Sequence, residues 1–157
     1  MTVPQILDAL QKTRLAHAIT KSNHLVIAGL QVVHVFGFLL LLSSLLLMAL
    51  RLLSLVLAQE RLSAVTHAPL RLFWTGLSLA IVSGVLMFLT GTRHYFYNRM
   101  FDFKMLLLLV AILVQVLLFQ GIAVRQGSPS WVARLAAVLS LLAWFGVGVA
   151  GRAIAFV

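Results

Sequence analysis

The stretch LVIAGLQVVHVFGFLLLLSSLLLMAL, residues 25–50, contains no charged residue, and its most polar side chains are Gln31 and His34. A helix needs roughly 20 mostly apolar residues to cross a hydrocarbon layer about 30 Å thick. This stretch is therefore long enough and apolar enough to span a membrane as a single helix.

Three further stretches have the same character, at about residues 70–91, 105–123 and 131–157. The chain of 157 residues is 62% hydrophobic with a mean hydropathy of +1.10, which leaves too little polar surface for a water-soluble protein. The uninterrupted Leu, Val and Ala runs lack the alternation that a β-barrel requires. We therefore predict an all-α protein, a four-transmembrane-helix bundle that forms one domain over residues 25–157 and contacts the lipid bilayer.

Residues 1–24 precede the bundle and are more polar than the rest of the chain. Thr2, Pro4 and Gln5 form a pattern typical of helix starts, because Thr caps a helix and Pro fits its first turn. We predict an N-terminal interfacial amphipathic helix over residues 4–20, which the sequence KSN at 21–23 ends.

Local signals also predict where individual spanning helices begin and end. The periodicity of RLLSLVLAQERL, residues 51–62, predicts that the first spanning helix continues past the bilayer. Pro69 predicts the start of the second helix. The turn RQGSPS, residues 125–130, predicts that Ser130 caps the fourth helix.

The charge balance excludes several classes of function. The 12 Lys and Arg residues outnumber the 3 acids, but they fall at helix ends and in loops, where they meet lipid phosphates rather than nucleic acid. The acids Asp8, Glu60 and Asp102 are too scattered for paired-carboxylate catalysis. No phosphate-binding loop or nucleophile motif occurs, so we assign no catalytic residue.

Four membrane crossings place both termini and the loop between the second and third helices on the same side, here called side one. Ionisable residues inside spanning segments are costly and often functional. Each spanning helix contributes a ring nitrogen or a charged side chain near side one: His34, His94 with the neighbouring Tyr95, Lys104 and Arg152. We therefore predict that these residues share one depth and form a binding site.

Three more residues extend this cluster. Gln115 lies eleven positions after Lys104 on the same helix face, at about 100° per residue, and carries the polar stripe toward mid-membrane. Trp144 lies eight positions before Arg152. Asn98 belongs to the polar loop that precedes the third helix.

Small residues lie beneath the cluster. In the second helix Gly76, Ala80 and Gly84 recur every four residues, a pattern that lets helices approach closely. Such residues either bring helices together or leave space for a flat ligand.

The first interpretation of the cluster is a redox site. His34 and His94 would ligate one b-type haem, and Lys104, Arg99 or Arg152 would neutralise its propionates. The protein would then pass electrons to or from a quinone and a periplasmic or membrane redox partner.

The second interpretation is copper handling or transport. His34 and His94 would bind the metal together with the thioethers of Met87, Met100 and Met105, because imidazole and thioether ligands suit Cu(I). In a third interpretation the polar groups only anchor the helices at the interface, and the protein is an accessory subunit of a larger complex.

Five pieces of the sequence carry a family resemblance: AITKS (18–22), QVVHVFGFLLLLSSLLLMALRLL (31–53), GLSLAIVSGVLMF (76–88), YNRMFDFKMLLL (97–108) and SLLAWFGVGVAGRAIAF (140–156). The most specific feature is a Trp followed after six residues by Gly-Arg-x-Ile-Ala, from Trp144 to Ala155. Over nearly its whole length the chain resembles DUF6644, a bacterial family of small four-helix membrane proteins of unknown function.

The resemblance implies a multi-pass protein of the bacterial inner membrane, with a looser likeness to copper-resistance and cytochrome b561-like membrane proteins. The family's pattern carries a His at the place of His34 and the run that contains Asn98 and Lys104, whereas His94 is not part of it. The resemblance therefore implies that His34, Asn98, Lys104 and Arg152 form the more general site.

Overall fold

The computed structural model of the chain describes residues 5, 8–9, 11–21, 24–56, 62–117 and 130–154. These residues form helices joined by turns and contain no strand, which confirms the predicted all-α fold. The helices are α1 (Arg14–Lys21), α2 (His24–Leu52), α3 (Leu62–Thr90), α4 (Thr92–Phe96), α5 (Arg99–Leu113) and α6 (Trp131–Ala153). Within this part of the chain, four segments can cross a membrane: Leu25–Leu52, His67–Thr90, Arg99–Leu117 and Trp131–Ala153. The protein is a multi-pass membrane protein.

The N-terminal helix α1 is amphipathic. Ala16 is fully buried, whereas Arg14, His17 and Lys21 on the other face are exposed. The helix packs against α3 and α2. The predicted cap at Thr2 and first-turn Pro4 lie outside the described residues, as do the predicted third-helix end at 118–123 and the turn at 125–129.

Helices α2 and α3 form the most extensive helix pair of the bundle. They cross at Gly37 and Gly76, where a Cβ added to Gly37 would lie 2.8 Å from the Gly76 carbonyl oxygen. The reverse contact would be 2.6 Å. A side chain at either residue would collide with the backbone of the opposite helix, so only glycine permits this approach.

Helices α5 and α6 pack antiparallel, and three contacts fix their register. The Lys104 side chain lies against Gly151, Leu107 lies against Gly146, and Ser140 is hydrogen-bonded to Gln115. The most extensive contact between the two pairs is made by α2 and α6, where Phe38 covers Gly148.

A single hydrophobic core joins α2, α3, α5 and α6. Its largest side chain, Trp144, meets Phe73 edge to face with ring centroids 5.5 Å apart. Such aromatic pairs add to the stabilisation from packing, which dominates helix association in lipid. The core occupies the middle of the bundle and the half toward side two, so the polar groups near side one lie beyond its end.

Helix α2 ends at Leu52, so the prediction that it continues past the bilayer is wrong. Ser54 adopts a left-handed conformation with φ 60°. Its N–H donates to the Arg51 carbonyl at 3.0 Å, and the Leu55 N–H donates to the Leu50 carbonyl at 3.0 Å. This pair of bonds is a Schellman motif, which closes the helix whatever the periodicity of the residues that follow.

Helix α3 begins at Leu62 rather than at Pro69, which lies inside it. Proline removes one backbone donor and leaves the carbonyl four residues earlier without its helical partner. That carbonyl belongs to residue 65 and lies outside the membrane-spanning segment His67–Thr90. Water can therefore donate the hydrogen bond that the proline cannot. The helix therefore continues through the proline.

Side-chain caps set the starts of α5 and α6. The Asn98 side-chain oxygen accepts from the Met100 N–H at 2.9 Å, so α5 starts at Arg99 instead of near residue 105. Ser130 accepts from the Ala133 N–H at 3.2 Å, which confirms it as the cap of the last helix.

Candidate functional site

A small cavity lies at the side-one end of the bundle and has a volume of about 50 Å³. Five parts of the chain meet there. The cavity is lined by His34 of α2, Gly84, Met87 and Phe88 of α3, Tyr95 of α4, Phe101 and Lys104 of α5, and Ile154 after α6.

His34 is held by a hydrogen bond to the neighbouring helix. Its Nδ1 lies 3.1 Å from the hydroxyl of Ser83. That hydroxyl donates its hydrogen to the Leu79 carbonyl at 2.5 Å, so it acts as an acceptor toward the ring. The proton is therefore assigned to Nδ1, which leaves Nε2 as the acceptor nitrogen of the ring.

The imidazole of His34 lies against Gly84. A Cβ added to Gly84 would lie 3.1 Å from Cε1 and 3.4 Å from Nδ1 of the ring. The glycine thus supplies the space in which the ring sits. The hydrogen bond to Ser83 and the contact with Gly84 together fix the ring's position from two adjacent residues of α3.

Lys104 brings a positive charge to the same cavity. Its aliphatic chain and ammonium group lie against Gly151, where an added Cβ would be 3.5 Å from Nζ. Lys104 is half-buried in the first turns of a spanning helix, and none of the carboxylates within the described ranges pairs with it. A charge in this position is costly unless a polar partner reaches it, so the site favours an electron-rich ligand.

Three aromatic rings form one wall of the cavity. Phe88 and Phe101 are stacked, with centroids 5.4 Å apart and planes inclined by 15°. Tyr95 lies 5.8 Å from Phe101 and 6.3 Å from Phe88. These rings make this side of the cavity apolar, and Tyr95 also contributes a phenolic hydroxyl.

The structure does not bring His94 and Arg152 into the cavity. His94 is exposed, and its ring meets Tyr95 edge-on at 5.5 Å. Arg152 is also exposed, and Ile154 lines the cavity in its place. Of the charged and ring-nitrogen groups that the sequence places at this depth, His34 and Lys104 are the two that meet.

Asn98 connects two of the helices that surround the site. It is buried, and it uses both ends of its amide: the oxygen caps α5, and Nδ2 donates to the Ile154 carbonyl at 3.4 Å. This bond ties the start of α5 to the end of α6 and so holds Ile154 against the cavity.

Gln115 and Trp144 lie deeper than the cavity and do not line it. Both are almost completely buried in the bundle interior. The polar stripe predicted from Lys104 to Gln115 therefore exists along α5, but it points into the α5–α6 interface.

Of the three methionines predicted as copper ligands, one lines the cavity and two do not. Met87 lines the cavity with His34, whereas Met100 is partly buried outside it and Met105 is 46% exposed. Within the described ranges, no three His, Cys, Asp or Glu side chains come together as metal ligands would.

Sequence reasoning missed Ser83 and the two stacked Phe residues. The glycine under His34 belongs to the spacing Gly76–Ala80–Gly84, so the signal for a close approach was present. Ser83 gave no comparable signal, because serines in spanning helices commonly bond their own backbone. Only the pairing of α2 with α3 shows that its oxygen also meets the imidazole.

The geometry can be set beside known proteins. The model of DUF6644, a family of unknown function, matches residues 11–157. The chain belongs to this family. No curated protein and no solved structure matches the chain. The matched region includes all four spanning segments and every residue that lines the cavity, so the site lies within the DUF6644 domain.

Proposed function

We propose that this DUF6644 protein is a small redox subunit of the bacterial cell membrane that binds a quinone headgroup in the cavity lined by His34 and Lys104. The observation that supports the proposal most is the pairing, in one interfacial cavity, of an acceptor nitrogen with an ammonium group. A quinone carbonyl needs a donor, and the hydroxyl of the reduced quinol needs an acceptor. Lys104 meets the first need and His34 Nε2 the second.

The surroundings support the same ligand class. The stacked rings of Phe88 and Phe101 make one side of the cavity apolar, and Tyr95 adds a further hydroxyl. The cavity of about 50 Å³ is smaller than the roughly 300–1,000 Å³ of most ligand pockets. Only the polar edge of a ligand fits inside the cavity. The rest of a quinone would lie outside it, among the apolar side chains between the helices.

Equilibrium binding of a short-chain benzoquinone to the protein in liposomes tests the proposal. Lys104→Met removes a charge-assisted hydrogen bond of about 1.5–3 kcal/mol, which corresponds to roughly a tenfold to hundredfold loss of affinity. The matched control is Arg99→Met, which removes an exposed cation from the same helix. His34→Ala should weaken binding, whereas the exposed His94→Ala should not. Equal affinity in all four variants and the native protein would refute the quinone site.

A b-type haem ligated by His34 is the second candidate. The Ser83 contact favours it, because a metal-ligating histidine usually donates its other N–H to a neighbouring group. The second axial ligand of the haem is harder to supply, because His94 does not line the cavity. A tetrapyrrole would also require the helices to move apart. An absorption spectrum of protein from haem-replete cells decides this point: a Soret band that His34→Ala abolishes supports haem over quinone alone.

Copper handling has weaker support. His34 and Met87 offer two ligands, but the ammonium of Lys104 in the same cavity would repel a bound cation. Copper near one equivalent per chain by elemental analysis, lost in both His34→Ala and Met87→Leu, would favour this function. Protein that binds none of these ligands and is stable only with partners would favour the accessory-subunit interpretation.

A further inference from the structure

The bundle interior contains two buried polar groups, on α6 and at the end of α5, that have no partner among the described residues. Gln115 is 1% exposed and Trp144 is 1% exposed. Gln115 Nε2 and Trp144 Nε1 have no hydrogen-bond partner in the part of the chain that the structure describes. Buried N–H donors are normally satisfied, because leaving them unpaired costs free energy comparable to a lost hydrogen bond.

The helix register places these donors close together. The contacts between Lys104 and Gly151 and between Gln115 and Ser140 set residue 111 opposite residue 144. Gln115 is therefore one helical turn from Trp144 along the same interface.

Side-chain direction brings the two groups closer still. Long side chains on a helix lean toward its N-terminus. Because α5 and α6 are antiparallel, this tendency favours Gln115 and Trp144 reaching toward each other's level. Ala111, which faces this interval, has only a methyl group and is fully buried.

The backbone changes at the same place. Residues 114–117 wind as a π-helical turn at the end of α5. Such turns widen a helix and are frequent where a side chain or a ligand interrupts the regular ladder of hydrogen bonds. The turn contains Gln115, whose side-chain oxygen is already occupied as the acceptor of the Ser140 hydroxyl.

We infer that Gln115 and Trp144 form a buried binding site for a neutral acceptor oxygen. Both groups donate, so the site does not suit a cation, and its mid-membrane depth makes an anion costly. The oxygen can belong to an internal water or to the carbonyl of an apolar ligand. The site is distinct from the His34 cavity, since Gln115 lies eleven residues, roughly 16 Å, beyond Lys104 along α5.

A crystal structure of the full chain in a lipid phase tests the inference directly. We expect one non-protein oxygen within about 2.7–3.2 Å of both Gln115 Nε2 and Trp144 Nε1. An isolated peak identifies water, and a peak continuous with further density identifies a carbonyl ligand. No peak, or a reversed Gln115 amide whose own oxygen accepts from the indole, would overturn the inference.

A measurement in membranes gives independent support. In the Trp74→Phe/Trp131→Phe variant Trp144 is the sole tryptophan, and the ultraviolet resonance Raman band that reports on the indole N–H should show it hydrogen-bonded. A free N–H there would contradict the inference.

Variants of Gln115 made in this single-tryptophan background test whether the two donors share the oxygen. Gln115→Leu, or the closer match Gln115→Met if the leucine variant does not fold, should move the indole band toward the free position. The control Val116→Leu changes the adjacent, 40% exposed residue and should leave the band unchanged. If the indole band is unchanged in both Gln115 variants, the two donors do not share an oxygen.

Discussion

The hydroxyl of Ser83 determines which nitrogen of His34 faces the cavity. Because Ser83 already donates to the backbone of its own helix, it can only accept from the ring. A single contact between α2 and α3 thus sets both the orientation and the tautomer of the imidazole. Without that contact either nitrogen could carry the proton, and the acceptor that a quinol requires would be present only part of the time.

Ser83→Ala should therefore weaken quinone binding through His34 rather than through stability. We expect up to about a tenfold loss of affinity, equivalent to 1.4 kcal/mol, and a mixture of His34 tautomers in the ¹⁵N NMR spectrum. The loss of stability should be smaller, since interhelical hydrogen bonds in membranes average about 0.6 kcal/mol. Ser78→Ala, an exposed serine on the same helix, is the control. A variant with one tautomer and unchanged affinity would contradict this role for Ser83.

The close crossing of α2 and α3 at Gly37 and Gly76 allows His34 to contact Ser83. Gly37→Val places side-chain atoms where the α3 backbone now lies, so the helices must separate. We expect a destabilisation of about 1–3 kcal/mol, measured by unfolding in denaturing detergent. Gly29→Ala is the matched control, because an added Cβ there meets no atom within 4 Å. Equal unfolding of the two variants would mean that the close approach contributes nothing.

The junction of α5 and α6 depends on the two roles of Asn98. Asn98→Ala removes both the helix cap and the bond to the Ile154 carbonyl, and should destabilise the protein by about 1–2 kcal/mol. Asn98→Asp keeps a capping oxygen and loses only the donor, so its unfolding midpoint should fall between those of the native protein and Asn98→Ala. If Asp were as damaging as Ala, the cap would contribute little and the link to α6 would dominate.

The described part of the bundle has four segments that can cross a membrane, and four crossings fix which surfaces share a compartment. The chain has no cysteine, so single cysteines can report on this order. His17→Cys and Tyr97→Cys should react together with an impermeant thiol reagent in oriented vesicles, and Leu55→Cys and Trp131→Cys should react only from the opposite side. All four positions are exposed. Labelling of one residue from each pair from the same side would refute the crossing order.

The composition and the lengths of the apolar runs were enough to predict the four spanning helices and the meeting of His34 with Lys104. Topology alone brings those two residues to one end of the bundle. The exclusion of His94 and Arg152 could not be predicted in the same way, because it depends on helix rotation, which packing at glycines such as Gly37 and Gly148 decides. Apolar runs that are hydrophobic on every face carry little information about rotation.

Gly84 has no side chain, so its backbone acts as a spacer of fixed thickness beneath the imidazole of His34. An alanine there would place its added carbon 3.1 Å from Cε1, so the ring would have to shift by a few tenths of an ångström. Nε2 would keep its lone pair and change only its direction. In the proposed quinone site, ligand preference can therefore be adjusted from a residue that has no functional group of its own.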